Sequence, residues 1–222
     1  MKKNTPPQKK RFRLLIVIIL SYIVFVPLTA NGQSRADKVN MVKDQSGRKI
    51  VVDKPYQRII SLYGAHTENL FSLGLDKEII GVSRHESYPA QALTKPVYSY
   101  HDDPEKFMAA RPDLVLVRPM IDRGHPQFVT QLENSGITVV SLQPATVSEM
   151  YEYWKILGVL TGRQAQAHDM ISHFQTISSN FNAIGSSIAV KKKVYFESIH
   201  NKMKTFSPDS MAIFALVTAG GI

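Results

Sequence analysis

The chain has 222 residues, of which 44% are apolar and 20% charged, a composition typical of a globular protein rather than a disordered or polytopic membrane protein. It contains no cysteine, which excludes disulfides, thiolate metal sites, a cysteine nucleophile and lipid attachment to cysteine. The formal net charge is +9, but residues 1–32 hold six Lys and Arg residues and no acid. Once these residues are left out, the net charge of the remaining chain does not indicate a nucleic-acid partner.

The N-terminus has the pattern of a cleavable export signal. A basic flank precedes an apolar stretch from Leu14 to Val26, whose 13 residues are fewer than the about 20 that a membrane-spanning helix needs. Small residues follow, so we expect cleavage after Gly32, with Ala30 as the alternative position. An uncleaved anchor is less favoured, because the residues after Ala30 are polar. The sequence therefore predicts an exported protein.

Strands and helices alternate in the first part of the mature chain. Turn residues from Asp44 to Arg48 predict a hairpin, and Asp103 with Pro104 predicts a capped helix start. The expected strands are 49–52, 58–62, 79–82, 114–117 and 137–142, and the expected helices are 67–73, a short one from Pro104, and 126–134. This alternation predicts an α/β fold with a parallel sheet and right-handed crossovers.

Residues 146–185 differ, because apolar side chains recur there at helical spacing. They predict one long helix, with a kink or short break between Gly158 and Gly162. We expect its apolar face, including Met170, Phe174 and Phe181, to be buried.

A further strand at Lys193–Glu197 and a helix at Asp209–Thr218 are expected after the long helix. The residues that follow the long helix are too few to bury a core of their own. We therefore expect them either to pack on the first lobe or to belong to a fragment.

The common catalytic motifs are absent from the sequence, namely G-x-S-x-G, G-x-x-x-x-G-K, G-x-G-x-x-G and H-E-x-x-H. Asp102 and Asp103 precede a helix, where capping explains them better than acid–base chemistry. An exported enzyme remains an alternative, although no pair of nucleophile and base is visible.

Four stretches together resemble the periplasmic binding proteins that take up iron–siderophore complexes and vitamin B12 with ABC transporters. These stretches are residues 44–62, residues 67–89, residues 104–115, and residues 157–163 together with 219–222. Their order and spacing behind an export signal make the resemblance specific, and it covers about residues 42–222. The resemblance implies two α/β lobes joined by one long, rigid helix, with the ligand in the cleft between the lobes.

The sequence patterns and this resemblance together predict a division of the chain into four segments. They are a signal peptide at 1–32, an N-terminal α/β lobe at 42–145, an interlobe helix at 146–185, and the start of a truncated C-terminal α/β lobe at 186–222. The second lobe of the family is about as large as the first, so we expect this chain to lack part of it.

The implied function is that of a substrate-binding component of an ABC importer, without enzymatic activity. It would act in the periplasm as a monomer, capture an iron–siderophore, haem or cobalamin-type chelate, and deliver it to the inner-membrane permease. No cofactor is expected beyond this transported iron chelate or corrinoid, and no nucleic acid.

The candidate site residues follow the strands, since ligands of open α/β sheets lie beyond the carboxyl ends of the strands. The candidates for ligand contact are Tyr63, His66, Arg84, His85, Tyr88, Arg118, Arg123 and His200, and the same loops include Gln143 and Ser198. Aromatic rings offer flat faces to a macrocycle or catecholate, and arginine pairs with carboxylates. Alternatively, Arg118 and Arg123 form a local ion pair with Asp122, which they bracket.

A bare zinc or manganese ion is the alternative cargo. His66, His125, Glu197 and His200 could supply nitrogen and oxygen ligands to it. The sequence has neither a His-rich loop nor two histidines close together at metal-ligand spacing, which speaks against this alternative.

The resemblance also implies a docking residue for the permease. The family has an exposed glutamate on each lobe that pairs with arginines of the permease, and the matching position here is Glu105. A carboxylate at the second position of a helix is also favourable to the helix dipole, which is the purely structural explanation.

Overall fold

The computed structural model describes residues 40–198 and 204–222, which lie within one compact unit, Val39–Ile222. The expected signal peptide and His200 lie outside these ranges. No helix in the described ranges has the length and apolarity required to span a membrane.

The elements alternate along most of the described chain. The strands are β1 (Asn40–Lys43), β2 (Lys49–Val52), β3 (Ile59–Ser61), β4 (Ile79–Ser83), β5 (Val97–Tyr98), β6 (Leu114–Val117), β7 (Thr138–Ser141), β8 (Glu197–Ser198) and β9 (Lys204–Thr205). The helices are α1 (Gly64–Ser72), α2 (Pro104–Ala110), α3 (Pro119–Gly124), α4 (Pro126–Asn134), α5 (Val147–Thr161), α6 (Gln164–Ser187) and α7 (Met211–Thr218), and a short 3₁₀ helix covers Ala90–Thr94.

A parallel sheet with strand order β5-β4-β3-β6-β7 forms the centre of the fold, which confirms the predicted fold class. The four residues of the inner strand β6 are all buried, because helices cover both faces of the sheet. Leu114 and Leu116 face α1, α5 and the β1–β2 hairpin, while Val115 and Val117 face α2, α3 and α4. The continuous apolar run of this strand therefore fills two separate cores.

Three features of the first lobe differ from the sequence-based expectation. Helix α1 begins at Gly64 rather than at 67, because the carbonyl of Tyr63 already accepts hydrogen bonds from the amides of His66 and Thr67. Strand β5 and helix α3 were not predicted. Strand β5 has only two residues, which is too short for a periodic pattern, and it pairs with the edge of β4.

The prediction of a single long helix over residues 146–185 is wrong, because the chain forms two helices there. The break expected between Gly158 and Gly162 is confirmed, since α5 ends at Thr161 and α6 begins at Gln164. The chain reverses direction at Gly162, which adopts a left-handed conformation with φ of 70° and caps α5. Helices α5 and α6 then pack antiparallel: Tyr151 near the start of α5 meets Phe174, while Gly158 near its end meets Ala167. A Cβ built on Gly158 would lie 2.9 Å from that of Ala167, so glycine permits this close approach.

The expected burial of the apolar face is only partly correct. Phe174 and Met170 are half-buried against the core, whereas Phe181 has 57% of its surface exposed. Phe181 lines an open apolar groove of about 390 Å³ between α5, α6 and α7.

The C-terminal residues pack on α6. Phe214 of α7 stacks on Phe174, with ring centroids 6.1 Å apart. The strand expected at Lys193–Glu197 is reduced to β8, preceded by a single parallel bridge between Lys192 and Gly221. Helix α7 begins two residues later than expected, since the Ser210 side chain caps it by accepting from the amide of Ile213.

Candidate ligand-binding site

A cavity of about 560 Å³ opens at the carboxyl ends of β3, β4, β5 and β6. It is lined by Leu62, Tyr63, Gly64, Ala65, Glu68, Ser83, Arg84, His85, Ser87, Tyr98, Ser99, Tyr100, His101, Arg118 and Ile121. Ligands of open α/β sheets bind at this edge. Four of the candidate residues therefore lie around one cavity: Tyr63, Arg84, His85 and Arg118.

Tyr63 and Arg118 follow the neighbouring strands β3 and β6. The amide of Leu62 donates to the carbonyl of Leu116 at 2.9 Å, which extends the pairing of the two strands to the cavity wall. The Arg118 guanidinium lies over the Tyr63 ring, 5.1 Å from its centroid, in a cation–π contact. The cavity thus presents an aromatic ring and a fixed cation side by side.

Arg84 and His85 follow β4 in a turn that is organised by Glu86. One oxygen of the Glu86 carboxylate accepts from the backbone amide and the hydroxyl of Ser83. Its other oxygen is buried without a hydrogen-bond partner among the described residues, and it lies 3.6 Å from a Cβ built on Gly64. This carboxylate therefore faces the first turn of α1, where negative charge is favourable.

The sequence analysis missed Tyr100 and His101, which follow the unpredicted strand β5 and line the same cavity. Their turn is held by Asp102, whose carboxylate accepts from Lys106 Nζ at 2.6 Å and from the amide of Ser99 at 3.0 Å. The hydrogen bond from Lys106, with a smaller contribution from the amide, lowers the pKa of Asp102. Strand β5 has only two residues, so it shows no alternation of apolar and polar side chains from which this loop could have been predicted.

His66 is wrongly predicted as a ligand contact, because its side chain is 1% exposed and lies inside the core. Its Nε2 donates to the carbonyl of Val117 at 3.1 Å, so Nδ1 accepts from the Tyr153 hydroxyl at 2.8 Å. Burial lowers the pKa of His66 to about 4, which keeps the ring neutral. Burial likewise raises the pKa of the Tyr153 hydroxyl. Both ring nitrogens are therefore occupied within the fold.

The other candidates do not line this cavity. Tyr88 is not part of the cavity wall, and 66% of its surface is exposed. Arg123 lines a different cavity of about 520 Å³ together with Gln143. The local ion pair considered for Asp122 is also wrong, since its carboxylate pairs with Arg48 of the β1–β2 hairpin.

Comparison with known proteins identifies the family. The sequence model described as periplasmic binding protein matches residues 59–207. The chain belongs to this family. An ABC transporter substrate-binding lipoprotein, YvrC of Bacillus subtilis, is 26% identical over 137 residues, which are 61% of this chain and 44% of that protein. The vitamin B12-binding protein of Vibrio cholerae is 28% identical over 133 residues, 57% of this chain and 48% of that protein.

Solved structures support the same assignment. A possible iron-binding, periplasmic solute-binding protein of Staphylococcus epidermidis superimposes with a TM-score of 0.68 at 26% identity, covering 76% of this chain and 67% of that one. The chain spans about half the length of the curated relatives named here. These proteins are named for binding and transport rather than for catalysis.

Among the described residues, the ligand set that was considered for a bare metal ion is not brought together. His66 is buried with both nitrogens bonded, and His200 lies outside the described residues. Within residues 40–198 and 204–222, no group of three or more His, Asp or Glu side chains is placed to hold a metal ion. The alternative of a zinc or manganese cargo thus gains no support.

The side chains that line the cavity include more cations than carboxylates. Arg84 and Arg118 contribute two positive charges to its wall, and Glu68 contributes one negative charge. In addition, the positive end of α1 points at the cavity through Gly64 and Ala65, although the Glu86 carboxylate offsets part of this.

Proposed function

We propose that this chain is the substrate-binding component of an ABC importer and that its cavity captures an anionic metal chelate of the iron–siderophore, haem or cobalamin type. The family membership supports a binding role, and relatives named for vitamin B12 and iron support this ligand class. The cavity volume of about 560 Å³ is in the range of small-molecule sites, about 300–1,000 Å³.

The observation that carries the proposal is the stacking of Arg118 on Tyr63 at the cavity wall. The tyrosine supplies a flat apolar face for a macrocycle or a catecholate ring. The guanidinium, held over that ring, can form two parallel hydrogen bonds to a carboxylate or phosphate. Arg84, which follows β4 and lines the same cavity, adds a second cation. A large ligand that is both flat and anionic satisfies all three groups.

The test is a set of titrations of the purified chain with haemin, cyanocobalamin and a ferric catecholate siderophore, followed by absorbance and calorimetry. We expect one of the three to bind, and Arg118→Met and Tyr63→Ala each to weaken it at least about tenfold, or about 1.4 kcal/mol. Arg123→Met is the matched control, because Arg123 is a nearby arginine that lines the other cavity. Failure of all three ligands to bind, or equal losses in the control, would overturn the proposal.

We also propose that the protein acts in the periplasm as a monomer, exported with residues 1–32 as a cleaved signal peptide, and that it binds the inner-membrane permease through Glu105. Glu105 is exposed on α2, where its amide donates to the Asp103 carboxylate at 2.9 Å. Cell fractionation, N-terminal sequencing and light scattering test the first part. Cytoplasmic material that begins at Met1 would contradict export.

A further inference from the structure

Two histidines that lie 24 positions apart in the sequence meet at the rim of the cavity. His101 follows β5 and lines the cavity described above, while His125 lies between α3 and α4 and lines a neighbouring cavity of about 460 Å³. We propose that His101 and His125 together bind one divalent first-row transition metal ion, of the class Cu²⁺, Ni²⁺ or Zn²⁺. This ion is distinct from the chelate cargo, although His101 also lines the cavity proposed for that cargo.

The spacing of the two rings fits a shared ion. Metal–nitrogen bonds of about 2.0–2.1 Å place each imidazole centroid about 3 Å from the ion, so two imidazoles at a tetrahedral angle have centroids about 5 Å apart. The centroids of His101 and His125 are 5.2 Å apart, and the ring planes are inclined by 87°. Edge-to-face packing of two rings gives a similar separation. The metal titration distinguishes the two explanations.

Both imidazoles have nitrogens available for coordination. In the described part of the chain, no hydrogen bond reaches a ring nitrogen of His101 or His125, in contrast to the fully bonded ring of His66. His101 is exposed and His125 is half-buried, so an ion can reach them from solvent. The site therefore needs no rearrangement of other partners.

Tyr100 restricts where the two rings can move. Its ring centroid lies 4.2 Å from that of His101 and 4.6 Å from that of His125, so it packs against both. Such support from a neighbouring ring reduces the side-chain entropy that a metal ion would have to overcome.

The surrounding charges and the open coordination positions define the metal class. Asp102, Asp103 and Glu105 follow His101 and counter the positive charge of Arg84 and Arg118, which line the same cavity, and Lys106 is paired with Asp102. Two imidazoles leave positions open for water or a carboxylate, which suits ions that accept nitrogen and oxygen ligands together. We expect the affinities to follow the Irving–Williams order, with Cu²⁺ bound most tightly.

The experiment is a calorimetric titration of the tag-free chain with Cu²⁺, Ni²⁺ and Zn²⁺ salts in a non-chelating buffer. Electron paramagnetic resonance of the Cu²⁺ form reports the number of imidazole nitrogens bound. The test variants are His101→Ala, His125→Ala and the double variant. His85→Ala is the control within the same cavity, and His173→Ala is an exposed control on α6.

We expect one Cu²⁺ per chain with two imidazole nitrogens. Each single variant should weaken metal binding by more than about tenfold. Replacing a residue that only hydrogen-bonds to a metal ligand already lowers metal affinity by about tenfold or more. The two control variants should bind as the wild type does. Unchanged affinity in the double variant, or an equal loss in His85→Ala or His173→Ala, would show that the two rings only pack against each other and would overturn the proposal.

Discussion

The Arg48 guanidinium holds the Asp122 carboxylate through two parallel hydrogen bonds, with Nη1 3.1 Å from Oδ1 and Nη2 2.9 Å from Oδ2. Its Nε donates to Asp44 at 2.8 Å, and the same Asp44 carboxylate accepts from the amide of Ser141 on β7. The turn of the β1–β2 hairpin is thereby tied to the edge of the sheet and to α3. Since α3 begins directly after Arg118, this cluster also supports the cavity wall.

We predict that Arg48→Met lowers the free energy of unfolding by about 3–5 kcal/mol, because it leaves the Asp44 carboxylate buried without its cation. The Asp44 side chain has no exposed surface, and that of Asp122 is 10% exposed. Lys155→Met is the control, since its pair with Glu152 is exposed on both sides and should change stability by less than about 1 kcal/mol. Urea unfolding measures both. Equal effects of the two substitutions would contradict this account.

The buried His66 predicts a loss of stability in mild acid. Its pKa is about 4 in the folded state against an ordinary 6.5. Above pH 6.5 the ring is neutral in both states, so it adds no pH dependence. As the pH falls from 6.5 to 4, His66 binds a proton in the unfolded chain but stays neutral in the folded chain. The free energy of unfolding should therefore fall by about 3 kcal/mol across this window.

Unfolding curves between pH 4 and 7.5 test the role of His66. His66→Gln should be less stable than the wild type at pH 7.5 but should lose less stability on acidification. His173→Gln, at an exposed position on α6, should keep the wild-type slope. A slope that is the same in His66→Gln and in the wild type would show that other groups cause the acid sensitivity.

Two phenylalanines on α6 should differ in their contribution to stability. Phe174 lies 6.0 Å from Tyr151, 5.8 Å from Trp154 and 6.1 Å from Phe214, measured between ring centroids. We expect Phe174→Ala to cost about 2–4 kcal/mol, because it empties the contact between three helices. Phe181→Ala should cost less than about 1 kcal/mol, since that ring is largely exposed. Chemical denaturation of the two variants side by side is the measurement, and similar costs would mean that Phe181 is covered in solution.

Glu105 should matter for transport and not for ligand affinity. Its carboxylate is exposed, and the capping of α2 is supplied by Asp103 instead. We expect Glu105→Ala to reduce uptake in cells, because an oriented charge contact speeds encounter with the permease. Ligand affinity and the melting temperature should stay nearly unchanged. Asp103→Ala is the comparison, for it should lower stability by about 1 kcal/mol through the lost cap. If cells that carry Glu105→Ala take up ligand at the wild-type rate while the variant protein is less stable, Glu105 has only a structural role.

Local signals in the sequence were sufficient for most elements of the first lobe. The apolar run Leu114–Val117 predicted a strand buried on both faces, and Asp103 with Pro104 predicted the start of α2. These signals succeed because they depend on neighbouring residues: a cap satisfies an amide two positions away, and an apolar run requires cover on both sides. The same reasoning predicted Tyr63, Arg84, His85 and Arg118 at the carboxyl ends of the strands, where they line one cavity.

Only the tertiary structure decided which loop side chains turn inward and which distant residues meet. A histidine after a strand has the same sequence signature whether it faces a cavity or the core, and His66 is buried because Tyr153, 87 positions away, offers its hydroxyl. Gly162 signals a break in a helix, but the reversal of the chain there follows from the packing of α5 on α6. Long-range contacts such as that of His101 with His125 leave no periodic trace along the chain, because folding alone brings them together.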